Sequence, residues 1–194
     1  NVAARAAIKT GGDTWAFLTS DTAYGRSLVE DVAQMIKGEG GRIVATVNHP
    51  VGASDFSSYM LRLQSSRAKV IGLGNAGTDA LNAIRAASDF GLTKNQRLVS
   101  MLMFINDVHG LGLEATQGMQ IADHWYWDSN DETRKFARRF FEVNKRMPTA
   151  LHAGVYSATY NYLLSVQMAK TDESDAVMKV MRSRKINDMF ARNA

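Results

Sequence analysis

The sequence contains no cysteine, only two prolines and no long apolar run. Without cysteine there is no disulfide bond, no thiolate metal site and no cysteine nucleophile. The absence of cysteine does not identify the cellular compartment, because it is compatible with an oxidising compartment and with the cytosol. No stretch approaches the ~20 apolar residues that span a bilayer, and the first residues lack the pattern of a signal peptide. What is present, 45% hydrophobic residues in a chain of 194, is enough for a packed globular core.

Positive charge is in slight excess, with a formal net charge of +4. Most basic residues are scattered among acidic ones, and one short basic cluster is interleaved with aromatic residues: Arg134, Lys135, Arg138 and Arg139 with Phe136, Phe140 and Phe141. Their helical spacing indicates the solvated face of an amphipathic helix. The charge therefore does not imply a nucleic-acid partner.

Short apolar runs alternate with helical patterns between Trp15 and Trp127. This alternation is typical of βα units and a mostly parallel sheet, so we predict an α/β fold. The predicted strands cover residues 15–19, 43–47, 70–73, 98–104 and 119–127. The fourth is nearly all apolar, as a strand buried on both faces should be.

Beyond residue 127 the sequence has helical patterns and no strand candidates. Asn130 is predicted to cap a helix through Lys145, Pro148 breaks it, and further helices are predicted over 150–170 and 175–184. The longest carries apolar side chains that must be covered by something: Val155, Tyr156, Thr159, Tyr160, Leu163 and Val166. Because no sheet is predicted here to cover them, we infer a missing partner lobe.

A glycine-rich turn matches the dinucleotide-binding pattern G-x-G-x-x-G over residues 72–77 and follows a predicted strand. Against nucleotide binding, it is the third unit of the series, and Arg97 lies about 20 residues onward, where an acidic ribose ligand is expected. Gly72 and Gly74 are better interpreted as strand residues in close contact with a neighbour. The turn then presents Asn75 to a cleft, and no cofactor is predicted.

The sequence contains no recognisable catalytic motif and no metal-binding motif. The four histidines are dispersed, without metal-ligand spacing: His49, His109, His124 and His152. No G-x-S-x-G elbow is present, and neither Ser20 nor Asp21 has a histidine nearby in sequence. Asp107 with Asp128 or Asp123 would make a carboxylate pair, although surface and capping roles are favoured. We predict no catalytic site and no metal site.

Polar or aromatic residues follow the carboxyl ends of several predicted strands: Ser20, Asp21, Tyr24, Asn75, Phe104 and Asn106. In open α/β sheets, ligands bind outside these strand ends. These residues are therefore candidates for a cleft. The alternative is that Ser20 and Asp21 cap the following helix while Tyr24 packs on it.

The stretch 17–27, FLTSDTAYGRS, resembles a loop of type I periplasmic binding proteins of the Leu/Ile/Val family, which serve ABC importers. Four further segments agree with it in order: 55–58, 70–77, 113–119 and the span from Met147 to Ala158. The resemblance covers most of the chain. It implies the fold of one lobe of such a protein, a mostly parallel sheet flanked by helices, followed by an all-helical tail.

The family's proteins have two α/β lobes that close on a solute between them. The resemblance implies that residues 8–128 form the second lobe and that residues 129–194 are helices that pack on the first lobe. The first lobe's sheet is then absent from this chain. It also implies a periplasmic location, an ABC permease as membrane partner, and no enzymatic activity.

Carried over from the family, Tyr24 matches the aromatic residue that lines the cleft, and Asn75 and Ala76 fall on a turn facing it. An acidic residue that binds the ammonium of amino acids is expected near the end of the fourth strand, where Leu102, Met103 and Phe104 stand instead. An unpaired ammonium in a dry cleft costs several kcal/mol. An ordinary α-amino acid is therefore disfavoured. Among the solutes that the resemblance implies, which are amino-acid-like molecules, amides, and aromatic or aliphatic acids, we favour an acid, an amide or an aromatic solute that contacts Phe104 and Tyr24.

Two alternative functions are also compatible with the sequence. One is a ligand-sensing domain of a regulator or receptor with the same fold, and the other is a nucleotide-dependent enzyme that uses the turn at 72–77. We also expect self-association of the chain through its helical tail, because its apolar helix faces would otherwise be exposed.

Overall fold

Four parallel strands form one sheet in the first part of the chain. The structure is a computed structural model that describes residues 2–194. The strands are β1 (Thr14–Ser20), β2 (Arg42–His49), β3 (Val70–Gly74) and β4 (Arg97–Ser100). Their order in the sheet is β2-β1-β3-β4, and every neighbouring pair is parallel. The predicted mostly parallel sheet flanked by helices is confirmed.

Helices cover both faces of this sheet. They are α1 (Val2–Lys9), α2 (Ala23–Gly38), α3 (Ser57–Ser65), α4 (Gly77–Asp89), α5 (Ile105–Leu111) and α6 (Leu113–Thr116). Because side chains alternate along a strand, Trp15 and Phe17 of β1 pack with α1 and α2, while Ala16 and Leu18 pack with α3 and α4. The strands are therefore apolar on both sides, as expected for a parallel sheet.

Close packing explains the glycines of β3. A Cβ on Gly72 would lie 2.5 Å from the Phe17 ring, and one on Gly74 would lie 2.8 Å from Thr19 Oγ1. Both glycines lie in the strand, where they allow close contact with β1. They do not lie in a phosphate-binding loop of the dinucleotide type.

Two strand predictions were wrong. The fourth strand was expected over residues 98–104 but ends at Ser100, because the chain leaves the sheet at Met101 and Phe104 precedes α5. The fifth, expected over 119–127, is reduced to one bridge between Val99 and Gln120. Its later residues belong to other structure, since Trp125 packs edge-on against Phe136 and donates from Nε1 to the Met189 carbonyl.

Residues 123–194 form a second unit, which we call the helical unit; residues up to 122 are the sheet unit. Its helices are α7 (Asp131–Asn144), α8 (Ala150–Ala169) and α9 (Ser174–Ser183). Asn130 caps α7 as predicted, accepting hydrogen bonds from the backbone N–H groups of Glu132 and Thr133. No strand is found in this unit among the residues described, apart from an isolated bridge between Asn187 and Arg192.

The interior of the helical unit is partly polar. Ser157, Asn161 and Ser165 lie on the buried side of α8. Ser157 Oγ and Asn161 Nδ2 both donate to Asp188, at 2.6 and 2.8 Å, and Arg184 donates to Ser165 Oγ. The opposite sides of α8 expose large apolar side chains: Leu151, Val155, Tyr160, Leu163 and Met168.

No helix within residues 2–194 has the length and apolar character needed to cross a membrane.

Candidate functional site

The carboxyl ends of the four strands meet at one edge of the sheet, because the strands are parallel. Ser20 of β1 pairs with His49 of β2, and Thr19 pairs with Gly74 of β3. Thr19 is buried and donates from Oγ1 to the Gly74 carbonyl at 2.9 Å, which fixes the two strand ends together. The loops that follow β1, β2, β3 and β4 therefore start side by side, which is where ligands bind in such sheets.

Tyr24 lies in the first turn of α2 and is 58% exposed. The turn is held by Thr22, whose Oγ1 accepts from the backbone N–H of Gly25 at 3.0 Å. Thr22 is the N-cap of α2, a role that the alternative interpretation gave to Ser20 or Asp21. The Tyr24 ring is thus free to contact a partner while its backbone is fixed.

Gly25 is required for this geometry. A Cβ at this position would lie 2.4 Å from the Ser20 carbonyl oxygen and 2.6 Å from Thr19 Oγ1. Distances this short force the backbone to shift, so only glycine lets the first turn of α2 lie directly against the end of β1. The adjacent Tyr24 depends on this contact for its position.

Ser20 and Asp21 connect β1 to α2. Ser20 is half-buried, and its hydroxyl lies 3.3 Å from that of Thr22. The Asp21 backbone N–H donates to the His49 carbonyl, while its exposed carboxylate forms an ion pair with Arg26. A solvent-exposed pair of this kind contributes little stability, so the Asp21 carboxylate is accessible to another donor at low cost.

Asn75 and Ala76 form the turn between β3 and α4. Asn75 is only 1% exposed, and its amide nitrogen lies 3.1 Å from His49 Nε2. Ala76 is exposed and precedes Gly77, which has a positive φ of 56°. No side chain caps α4, so the N–H groups of its first turn lack a side-chain acceptor. The turn therefore presents exposed backbone, with the Asn75 side chain directed into the protein.

Residues 101–104 follow β4 and carry no charge: Met101, Leu102, Met103 and Phe104. Phe104 is half-buried, and its backbone N–H donates to the Asp107 carboxylate at 2.9 Å. That carboxylate thus closes the start of α5. The stretch after β4 adds apolar surface to the edge of the sheet.

His49 is a member of this edge that the sequence did not reveal. It is 1% exposed, its Nδ1 donates to the Pro50 carbonyl at 2.9 Å, and its ring contacts Phe56 edge-on at 5.0 Å. Its position directly before a proline at a strand end was the available signal. That signal shows nothing of the partner, Asn75, which lies 26 residues away.

Groups that would hold a metal ion, with three or more histidine or acidic side chains together, are not found within residues 2–194.

A family model described as periplasmic binding protein matches residues 1–194, the whole length of the chain. The chain belongs to the periplasmic binding protein family. The comparison with curated protein sequences gave no significant match. The resemblance inferred from the sequence is therefore confirmed at the level of the family.

Solved structures of periplasmic binding proteins agree with this assignment. The chain is 48% identical to a periplasmic binding protein from Burkholderia mallei, with a TM-score of 0.92 over 97% of this chain and 50% of that one. It is 33% identical to a branched-chain amino acid ABC transporter periplasmic ligand-binding protein from Burkholderia xenovorans LB400, with a TM-score of 0.83 over 98% of this chain and 51% of that one.

A more distant structure shares the fold. It is an ABC transporter solute-binding protein from R. palustris in complex with benzoate, 18% identical, with a TM-score of 0.87 over 97% of this chain and 53% of that one. The periplasmic binding protein chain thus spans about half the length of the structures it matches.

Proposed function

We propose that this chain contributes one side of the solute cleft in the extracytoplasmic binding component of an ABC importer. The observation that carries the proposal is that the exposed Tyr24 ring and the uncapped turn at Ala76 and Gly77 follow neighbouring strands, β1 and β3, at the carboxyl edge of a parallel sheet. In a solute-binding family, this is the edge at which a small molecule is expected. The protein acts by binding and release, without catalysis, and its partner is the importer's permease.

The chemistry of the edge favours a small organic acid, an amide or an amino-acid-like solute. Backbone N–H groups at the start of α4 suit a carboxylate or carbonyl oxygen, since they lack a cap and lie at the positive end of a helix dipole. Tyr24 offers a ring face and a hydroxyl. The apolar stretch from Met101 to Phe104 provides no carboxylate for an ammonium group, which favours aromatic and aliphatic acids within this set.

The two units take different places in this proposal. The sheet unit belongs to the second lobe, predicted over residues 8–128, and the helical unit packs on the first lobe of the longer protein, as predicted for residues 129–194. The two units divide after residue 122, six residues before the predicted boundary. Two observations support this placement: the chain spans half the length of its relatives, and α8 carries exposed apolar residues such as Val155 and Leu163. The other side of the cleft then comes from the first lobe, and a periplasmic location follows from the family. Self-association through α8 stays a prediction for the chain in isolation.

The test is a thermal-shift screen of the protein at its full natural length. The probes are L-leucine, L-phenylalanine, short aliphatic acids and amides, benzoate, 4-hydroxybenzoate and NAD⁺. A solute at 100 times its dissociation constant adds about 2.7 kcal/mol to the free energy of unfolding, which is readily visible. We expect a shift with one class of small solute. A shift with NAD⁺ alone would overturn the proposal and make the turn at 72–77 a nucleotide site.

A further inference from the structure

A buried polar pair connects the ends of β2 and β3 across the end of β1. His49 and Asn75 are the two members, and each is 1% exposed. His49 Nε2 and Asn75 Nδ2 are 3.1 Å apart. Because β1 lies between β2 and β3 in the sheet, this contact joins side chains from the ends of two strands that are not neighbours.

The direction of the hydrogen bond is determined by the other side of the imidazole ring. His49 Nδ1 lies 2.9 Å from the Pro50 carbonyl oxygen, which can only accept, so Nδ1 carries the proton. In the neutral ring Nε2 is then an acceptor. Asn75 must therefore present its NH₂ group to His49, and the orientation of its amide is fixed.

Asn75 Oδ1 is buried and has no hydrogen-bond partner within residues 2–194. Turning the amide over would place Oδ1 against Nε2, which accepts as well, so the reversed orientation would leave Oδ1 unpaired and also remove the hydrogen bond to Nε2. The NH₂ group faces His49 because Nε2 can accept and cannot donate.

His49 is itself held in place. Its ring packs against Phe56 at 5.0 Å and Tyr59 at 6.0 Å, measured between ring centroids. The Asp79 carboxylate accepts from the Gly52 backbone N–H and so fastens the loop that follows His49. The turn after β3 has no side-chain cap and includes a glycine with positive φ. Asn75 anchors its beginning on His49, and Asp79 anchors the first turn of α4 on Gly52.

We propose that His49 is a positioning residue for the cleft. Through Nε2 it holds the Asn75 amide, and through Asn75 it fixes the exposed turn from Ala76 to Thr78. His49 does not contact the solute in this scheme. The inference rests on the proposed function only in that the turn is a cleft element, and its test needs no solute.

The first part of the test is the tautomer of His49. Long-range ¹H–¹⁵N spectra of the imidazole ring in the full-length protein at pH 7.5 distinguish a proton on Nδ1 from one on Nε2. We expect the tautomer with the proton on Nδ1. A proton on Nε2 would overturn the proposal, because Asn75 could not then donate to that atom.

The second part uses the matched substitutions His49→Phe and His49→Gln, with backbone order parameters from ¹⁵N relaxation. Phenylalanine keeps an aromatic ring but removes the acceptor, whereas glutamine supplies an acceptor oxygen. We expect order parameters at Ala76, Gly77 and Thr78 to fall from about 0.85 to below about 0.6 in His49→Phe. They should stay near the wild-type values in His49→Gln, and those of Phe17 and Leu18 should not change in either protein.

Asn75→Ala removes the same hydrogen bond from the other side and serves if His49→Phe does not fold. It should loosen the same three residues. An ordered turn in a folded His49→Phe or Asn75→Ala protein would overturn the proposal. So would a loss of order shared equally by the turn and the β1 core, because that pattern indicates a general structural role.

Discussion

The sheet unit and the helical unit are built in opposite ways. In the sheet unit the large side chains are inside, and Phe17, Leu18 and Ile71 are fully or almost fully buried between helices. In the helical unit the buried side of α8 carries Ser157, Asn161 and Ser165, while its exposed sides carry leucine, valine, tyrosine and methionine.

This contrast shows which unit has a complete core. The sheet is covered on both faces by its own helices, so its hydrophobic stabilisation is contained within residues 2–122. The helical unit has a smaller apolar interior, which includes Phe136 and Val177, together with the hydrogen bonds around Asp188, and large apolar side chains of α8 stay exposed. Apolar faces of this size mark interaction surfaces, which fits the proposed first lobe.

The largest difference in stability is expected between one substitution in the sheet unit and one in the helical unit. Leu18→Ala removes a fully buried side chain and should cost about 3 kcal/mol of unfolding free energy in this chain. Leu163 is 57% exposed, so Leu163→Ala should change the value by no more than about 0.5 kcal/mol. Urea unfolding followed by circular dichroism measures both.

Full-length protein supplies the matched control for this pair. If the first lobe covers α8, Leu163→Ala should cost about 2 kcal/mol there, as a buried truncation does. Equal losses for Leu18→Ala and Leu163→Ala in the isolated chain would contradict the contrast between the units.

A smaller effect is expected from Asp188, the acceptor at the centre of the helical unit. Asp188 accepts from Ser157 Oγ, Asn161 Nδ2 and the backbone N–H groups of Phe190 and Ala191. Asp188→Ala leaves these donors unpaired and should lower the stability of the helical unit by about 2 kcal/mol. Hydrogen exchange should speed up in α8 and stay unchanged in β1. Faster exchange in both would contradict a local role.

The same carboxylate makes the helical unit sensitive to acid. Burial by itself raises the pKa of Asp188, but the hydrogen bonds from Ser157, Ala191, Phe190 and Asn161 outweigh it and hold the pKa below its ordinary 3.8. A pKa that is lower in the folded than in the unfolded state gives stability that is complete above about pH 5. We expect protection of α8 to fall as the pH drops through 4 and below, and Asp188→Asn to flatten that profile.

The smallest effect on folding is expected at Tyr24, where the consequence is for binding. Its ring is mostly exposed, so Tyr24→Ala should leave the melting temperature almost unchanged. In the full-length protein, affinity for the solute found in the screen should fall about tenfold or more, since an aromatic contact is lost. Tyr126→Ala, which removes another exposed tyrosine, is the control for isothermal titration calorimetry. Equal affinity in Tyr24→Ala and wild type would remove Tyr24 from the site.

Much of the fold was predictable because its elements are marked locally. Four strands and their helices follow from apolar runs and turn residues, and Asn130 and Pro148 bound α7 closely. The helix α1 was missed because its alanines give a weak apolar pattern, although Ala3, Ala4 and Ala7 are buried. The fifth strand was predicted wrongly because the apolar run 119–127 is divided between two units, which local periodicity does not show.

The candidate site was less predictable, because local sequence patterns do not show tertiary contacts. Tyr24 was selected because it follows a strand end, and the structure gives it an exposed ring there. Asn75 was selected by the same rule, yet its side chain is buried against His49. A strand end indicates where a residue lies along the chain, while the direction of its side chain depends on tertiary contacts such as the pair across β1.

The most direct test of a cleft shared with the first lobe is to compare two affinities for the same solute, that of the full-length protein and that of residues 1–194 alone. If this chain forms one side of the cleft, the full-length protein should bind the solute and the isolated chain should bind it at least about 100-fold more weakly, because half of the contacts are missing. Equal affinities would contradict the account, since the whole site would then lie within these 194 residues.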